Sequence, residues 1–597
     1  MSDRPGLFAA PRHTVLSLNV QTESAIRERD RSQFEVLVRH LIYRFFHNEL
    51  LASDDETKRV MLVSYAATLP SFVLTLFLYF IYHFALPPMP YPRPFWSQIG
   101  DHYFFVMYSF LIMGAAAVYE WDLLFPNLLD VFVLSVLPIS TRRLFFARVL
   151  ALTIFLGLVL VGTSILGTLS FPVVADLPRF GYHLLAHALS VLMSGTFAAA
   201  SFLALQGILL NTVGQHIFRR ITPLLQGGSM MLLLAVLLFY PAVCHSIIPL
   251  LTSDSTAVRC FPPFWFLGIY ERILQGPSAL PIFSQLARTA CSALLLMLSI
   301  VLLTYPLAYR RRVRQLIEGA GAIDNPSHAA APLRRILHTV ILRHPAQRAV
   351  FHFVSQTILR TQRQRVMLGM YGDLALAVTI SNMVVLHIAA GHLRPSLLPY
   401  GIRTAVPIMA FWTIVALSSI VSAPIDRRCS WLFHAIIGRP GPDHLAGTRI
   451  WITLWAMLIS LTTALVLHAF SPAQLRTPLV TAGQVLVAIG ISLLLTDLCL
   501  YPVRTIPFTH LRTSSITDFP LMVVRYFVFF PFFVFIVVHQ ERWIEASVAH
   551  LLKTLLFLAI AHIVLMKAHH HELRQSTLET PPEESDEFLQ RLGLCDH

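Results

Sequence analysis

The chain has 597 residues, 55% of them hydrophobic and only 13% charged, with a formal net charge of +13. Mean hydropathy is +0.64. Ordinary soluble domains carry about 25% charged residues, so a water-soluble globular class is excluded. The positive balance does not point to nucleic acid: Lys is confined to Lys58, Lys553 and Lys567, and Arg clusters in short stretches between apolar runs. Such stretches hold loops on the cytoplasmic side and favour contact with anionic membrane lipids.

In chain order, residues 1–58 form a polar N-terminal segment. Within it Phe34, Leu37, Val38, Leu41, Ile42 and Phe45 recur at helical spacing, with Arg31, Glu35, Arg39 and His40 on other faces. A basic amphipathic helix just before a span reads as one lying in the membrane interface. No cleavable leader is expected; the first span serves as its own insertion signal. The chain then contains about twelve apolar runs of about 20 residues, each long enough to cross a bilayer as a helix. A first half, 59–310, holds runs at 60–86, 102–119, 144–168, 183–211, 223–247 and 285–309. A linker follows at 311–366, where Gly319 to Pro332 shows no periodicity. After Pro345, the positions Ala346, Ala349, Val350, Phe353, Val354, Thr357 and Ile358 repeat the amphipathic stripe. The second half, 367–568, holds runs at 367–391, 401–422, 449–469, 477–501, 521–540 and 546–568. An acidic tail, 569–597, closes the chain. The expected fold is therefore all-α: a polytopic membrane protein of two six-helix halves that repeat at roughly 300 residues.

Arg residues accumulate in alternate loops: Arg142, Arg143 and Arg148; Arg219 and Arg220; Arg310 to Arg314; Arg427, Arg428, Arg439 and Arg449. That alternation puts both termini in the cytoplasm. Each half has a long Pro-marked loop on this side. In the first, Pro126 and Pro138 bracket the apolar run Leu128 to Leu137, which fits a short helix, since Pro limits helix extent. In the second, Pro424, Trp431 and Phe433 mark the loop. On the other side, Cys244 to Phe283 is aromatic and too apolar for a solvated loop, with Phe261-Pro262-Pro263-Phe264-Trp265-Phe266 and Gly268-Ile269-Tyr270-Glu271-Arg272. One or two short helices dipping into the outer leaflet are expected there; a plain interfacial loop is the simpler alternative.

The chemistry that is missing is informative. There is no G-x-x-x-x-G-K-[ST], H-E-x-x-H or G-x-S-x-G, so no catalytic, cofactor or metal residue is assigned. The His569-His570-His571 run reads as a solvated patch. The six Cys lack a C-x-x-C pair. Cys244 and Cys260 are near enough in sequence for a bridge, although small apolar filler is the ordinary role of membrane Cys. Ionisable groups within spans are few: Asp373, Asp497 and Arg525 lie near cytosolic ends, with Asp497 expected to pair with Arg525 or a nearby loop Arg. His187 and His387 read as packing or interface residues. Asp254 and Glu271 are scattered acidic residues on the outer side.

This layout, carried by Glu120 to Pro126, Asp130, Leu137-Pro138-Ile139, Ala147-Arg148, Pro424, Trp431, Phe433, Gly447 and Arg449, resembles the permease subunits of type-2 ATP-binding-cassette (ABC) exporters. The likeness is to the fused bacterial kind with twelve spans, and covers most of residues 30–570. It implies coupling to two separate ATPase subunits, which alone bind ATP, through Phe125, Pro126, Asp130, Leu134, Leu137, Pro138, Pro424, Trp431 and Phe433. It also implies an outer re-entrant segment at Pro262, Pro263 and Trp265, and a location in the bacterial inner membrane. The second half departs from the family plan, since only Gln540 to Ile544 separate its last two runs. Two other readings compete. One is an ion-coupled secondary carrier of the major-facilitator kind; the other is an integral membrane transferase.

Overall fold

The computed structural model describes residues 33–42, 56–85, 95–121, 140–175, 179–213, 215–253, 255–318, 337–389, 392–422, 442–470, 477–501, 503, 507–508 and 518–576. Helices dominate them. In chain order these are α1 (33–42), α2 (Glu56–Phe80, continued by a π turn at Ile81–Ala85), α3 (Ile99–Tyr119), α4 (Thr141–Ala175), α5 (Phe180–Thr212) and α6 (Gln215–His245). Three short helices follow: α7 (Ile247–Thr252), α8 (Thr256–Cys260) and α9 (Pro262–Gln275). Then come α10 (Pro281–Glu318), α11 (Pro345–Arg360), α12 (Gln362–Met383), the strands β1 (Val384–Ala389) and β2 (His392–Leu397), and α13 (Pro399–Ser422). The chain ends in α14 (Pro442–Phe470), α15 (Pro478–Leu500), α16 (Asp518–Glu545) and α17 (Val548–Ser576).

Among the described residues nine helices are long and apolar enough to cross a membrane: α3, α4, α5, α6, α10, α13, α14, α15 and α17. The protein is a helical, polytopic membrane protein. The expected first, seventh and eleventh spans fall on α2, α12 and α16, which are not among the nine. Exposed Leu295, Leu296, Leu302, Leu303, Phe532, Phe535, Leu556 and Phe557 on α10, α16 and α17 suit a hydrocarbon solvent. The seventh run does not stay helical to residue 391. It leaves the helix at Met383 and enters an antiparallel hairpin, with Val384 opposite Leu397 and Ala389 opposite His392. The β-branched pair Val384-Val385 is stiff at χ1 and favours extended backbone.

Local sequence sets many helix ends. Pro262 and Pro263 occupy the first turn of α9, where a missing N–H costs nothing, and Gly276 ends it at φ 59°. Ser255 caps α8 by accepting from Ala257 N, and Thr477 caps α15 ahead of Pro478.

The chain divides into two compact units. One comprises Met1–Gln226 and Ile247–Ala322; the other comprises Gly227–Ser246 and Ile323–His597, so the C-terminal half of α6 belongs with the later residues. In the first unit α3 packs on α5, α5 on α10, and α9 lies against α3, α5 and α10. In the second, α13 is flanked by α12, α14 and α15, while α17 packs on α15 and α16.

The two amphipathic stripes are buried on protein rather than laid on bare lipid. Leu37, Val38 and Leu41 of α1 share a core cluster with Ala147, Ala151, Leu203 and Tyr305. Val350, Phe351, Val354 and Ile358 of α11 share another with Leu417, Ile420, Val421, Trp451 and Ile452. Within the second unit, Trp451 Nε1 donates to Ser355 Oγ (2.8 Å) and Gln347 Nε2 to Asp443 Oδ1 (3.1 Å), fixing α11 on α14.

Small residues permit the closest helix approaches, as is common in membrane bundles. A Cβ on Gly268 of α9 would stand 2.5 Å from Leu286 Cβ and 3.0 Å from Ala287 N of α10. A Cβ on Gly228 would meet no atom within 4 Å. Gly268→Ala should therefore destabilise the protein by about 1–3 kcal/mol through overpacking. Gly228→Ala should be neutral or gain up to about 1 kcal/mol from helix propensity. Thermal unfolding of the two purified variants in detergent checks the order; equal midpoints would mean that α9 and α10 stand farther apart than described.

Candidate functional site

One end of the first unit, where α3, α5 and α9 begin or pass, gathers a group of buried ionisable side chains. α3 opens with Asp101 and His102 in its first turn. α5 carries His183 and His187 one turn apart on one face. α9 brings Tyr270 and Glu271. His102, His183 and Glu271 are fully buried, and His187 and Tyr270 nearly or fully so.

The contacts are specific. His102 Nδ1 lies 2.6 Å from Glu271 Oε1, and both side chains are 0% exposed. The other carboxylate oxygen, Oε2, accepts from Gln275 Nε2 at 2.5 Å. The imidazole of His102 stacks on the Tyr270 ring, with centroids 4.2 Å apart and planes at 17°. His183 meets it edge-on at 5.2 Å. The Tyr270 hydroxyl lies 3.2 Å from His187 Nδ1. Burial, reinforced by Glu271 and Asp101, pushes the Tyr270 phenol well above its usual range. It therefore stays protonated and is the natural donor to His187. Phe171 of α4 closes the group, with its ring 5.8 Å from His102.

Neighbouring bonds hold these elements in place. Gln98 Nε2 donates to Ala175 O (3.1 Å), tying the start of α3 to the end of α4. Ser109 Oγ donates to Val191 O (2.8 Å) and Ser194 Oγ to Val106 O (3.0 Å), tying α3 to α5. The Tyr82 hydroxyl donates to Asp101. A carboxylate and an imidazole held this way in a low-dielectric site form a charge-assisted pair, stronger than a neutral hydrogen bond.

The second unit holds a different charged group. Asp497 of α15 lies 3.3 Å from Arg449 Nε of α14 and 2.6 Å from His562 Nδ1 of α17. Of the Arg residues expected between the eighth and ninth runs, Arg449 thus meets Asp497, and does so from within α14. Nearby in sequence, Gly447 faces α11, where a Cβ would stand 2.8 Å from Gln347 O. In the first unit Ala147 is buried beneath α1, and Arg148 beside it is buried close to Tyr305 and Tyr309. In both units a small residue lies against the amphipathic helix with an Arg one or two positions after it, buried at Arg148 and partly exposed at Arg449.

The outer-segment residues lie on α9: Pro262 and Pro263 begin it, and Trp265 Nε1 donates to Arg259 O at 2.7 Å. Three short helices fill this stretch, where one or two were expected. Phe125, Pro126, Asp130, Leu134, Leu137, Pro138, Pro424, Trp431 and Phe433 lie outside the described residues. His387 stands in β1 opposite Arg394. Asp373 is buried near Gly227. Cys260 is an exposed thiol without a disulfide. Among the described residues no group of three His, Cys, Asp or Glu is placed to hold a metal ion. Sequence reasoning treated His187 as packing and Glu271 as a scattered acid, and passed over His102 and His183. The one local signal was the i, i+4 pair His183 and His187 within an apolar helix.

Asp497→Ala should be costly, because it leaves Arg449 without its carboxylate; about 3–5 kcal/mol is the ceiling for a fully buried pair. The double change Arg449→Met with Asp497→Leu should recover much of the loss. The readout is the yield of monodisperse protein and its thermal midpoint in detergent. A double variant no better than Asp497→Ala would show that packing, not charge, sets the cost.

Comparison with protein-family models, curated proteins and solved structures finds no match to this chain.

Proposed function

We propose that the chain is the membrane-spanning permease of an ATP-driven exporter, energised by separate ATPase subunits that dock at two cytosolic loops. One observation carries the reading. In each unit an amphipathic helix packs its stripe on the helix ends that border the long Pro-marked loop: α1 on the start of α4, and α11 on the end of α13 and the start of α14. The small residue against each of those helices, with an Arg one or two positions after it, supports a doubled plan. A doubled plan suits a transporter with two motor subunits. In this reading the twelve runs form two six-helix halves with both termini cytoplasmic in a bacterial inner membrane. α7 to α9 lie on the outer side, and ATP-driven closure of the motors pushes the loops at 122–139 and 423–441.

A second reading, an ion-coupled carrier, is favoured by the buried His102–Glu271 pair, since ionisable residues inside a bundle often mark ion or proton pathways.

The two readings separate by experiment. Affinity purification of the tagged chain from its native membrane should recover a second protein with a Walker motif. The chain alone should hydrolyse no ATP, and Asp130→Arg, Leu134→Glu or Trp431→Glu should lose the partner while keeping membrane insertion. Crosslinks from a Cys placed at Ser135 should reach that partner. Crosslinks confined to the chain itself, or transport by the chain alone under a proton gradient, would overturn the motor-coupled reading. Reporter fusions after Arg314 and after His571 should read as cytoplasmic, and one within Asp254 to Gly276 as external.

A further inference from the structure

The end of the first unit holds more hydrogen-bonding capacity than its packing uses. A neutral imidazole carries one donor and one acceptor, and buried side chains of this kind are ordinarily satisfied. His102 Nε2 and both ring nitrogens of His183 are buried and have no partner. His183 is 0% exposed. Glu271, in contrast, has both oxygens engaged, by His102 and Gln275. The arrangement therefore presents a fixed carboxylate, an imidazole bonded to it, and a second imidazole with nothing to do at 5.2 Å.

We propose that His102 and Glu271, with His183 beside them, form a proton-binding site that exchanges one proton with solvent. With the site empty, Glu271 is a carboxylate and His102 is a neutral imidazole donating from Nδ1. Uptake of a proton from hydronium in solvent, with release of water, gives an imidazolium–carboxylate pair of no net charge. Release returns the same proton to water. His is the side chain whose ordinary titration falls between about pH 5 and 8, which suits it to this exchange. The added proton stands on His102 Nε2, the nitrogen that the packing leaves without a partner.

The surroundings define the electrostatics of the site. From α3 the site faces Asp101, itself bonded to Tyr82. From α5 it faces His183 and His187, and from α9 Tyr270. Phe105 and Phe171 supply an apolar wall. The next cation on α9, Arg272, is exposed and donates to Gly276 O at 2.6 Å, away from the pair. Toward solvent the site is bounded by the end of α9: Glu271 Oε2 accepts from the side-chain Nε2 of Gln275, and the backbone carbonyl of Gln275 separately accepts from the exposed Ser278 hydroxyl at 2.7 Å. The buried carboxylate lies about one helical turn from the exposed end of α9. This inference holds whichever energy source drives transport.

The test uses the full chain in lipid nanodiscs. Proton uptake between roughly pH 8 and pH 5 is measured with an indicator dye, and infrared difference spectra follow the carboxyl and imidazole bands. Wild type should take up about one proton per chain more than Glu271→Gln over that range, the amount expected when one titrating site is removed. His102→Gln keeps an amide donor for Glu271, and should remove the same proton and shift the Glu271 carboxyl band. His550→Gln, which alters an imidazole stacked on Trp543 in the second unit, should leave the Glu271 carboxyl band unchanged. Should Glu271→Gln fail to give monodisperse protein, His102→Gln and the milder His183→Gln carry the test. Uptake and difference spectra that overlay wild type in any monodisperse variant at His102 or Glu271 would overturn the proposal.

Discussion

The contact between α3 and α5 is the constraint on which the first unit depends. A Cβ on Gly195 would stand 2.5 Å from Leu160 Cδ1 and 2.7 Å from Ser109 Oγ, so no larger residue fits without movement. Next to that point each helix donates a serine hydroxyl to a backbone carbonyl of the other. In an apolar solvent there is little hydrophobic gain from helix association, and packing with interhelical hydrogen bonds must supply the specificity. This contact fixes the rotation of both helices about their axes. With rotation fixed, His102 and His183 are committed to the interior, and α9 can only close over them with Tyr270 and Glu271.

Burial then turns an ordinary residue choice into a chemical one. Exposed, His102 and Glu271 would be a weak surface pair; with water excluded they form a strong one, and each becomes expensive to leave alone. The Arg449–Asp497–His562 group follows the same logic in the second unit, although Arg449 and His562 keep part of their surface exposed. The two groups differ in kind. Asp497 has an Arg guanidinium beside it, a cation that is always charged. Glu271 has an imidazole instead, that of His102.

The amphipathic helices show how a sequence pattern underdetermines its partner. α1 and α11 have the apolar stripe and basic flanks of interfacial helices, and hydropathy alone cannot separate lipid from protein as the surface that covers the stripe. Their burial on α4, and on α13 and α14, places them at the helix ends that border the two long loops.

Much of the architecture was legible in the residues. Apolar runs longer than a bilayer is thick located most of the helices. The aromatic, apolar stretch Cys244 to Phe283 pointed to short helices, and the stripes at Phe34 to Ile42 and Ala346 to Ile358 located α1 and α11. These signals are local: periodicity, capping and proline geometry act within a turn or two of chain. The hairpin after Met383 was hidden, because Val384 to Ala389 is as apolar as a span and only pairing with His392 to Leu397 distinguishes strand from helix. The meeting of His102 with Glu271, 169 residues apart, was hidden for a deeper reason. Which faces of three helices converge is set by crossing angle and axial rotation. Those are decided by where small residues such as Gly195 and Gly268 let backbones approach, so only the tertiary structure turns scattered polar residues into a site.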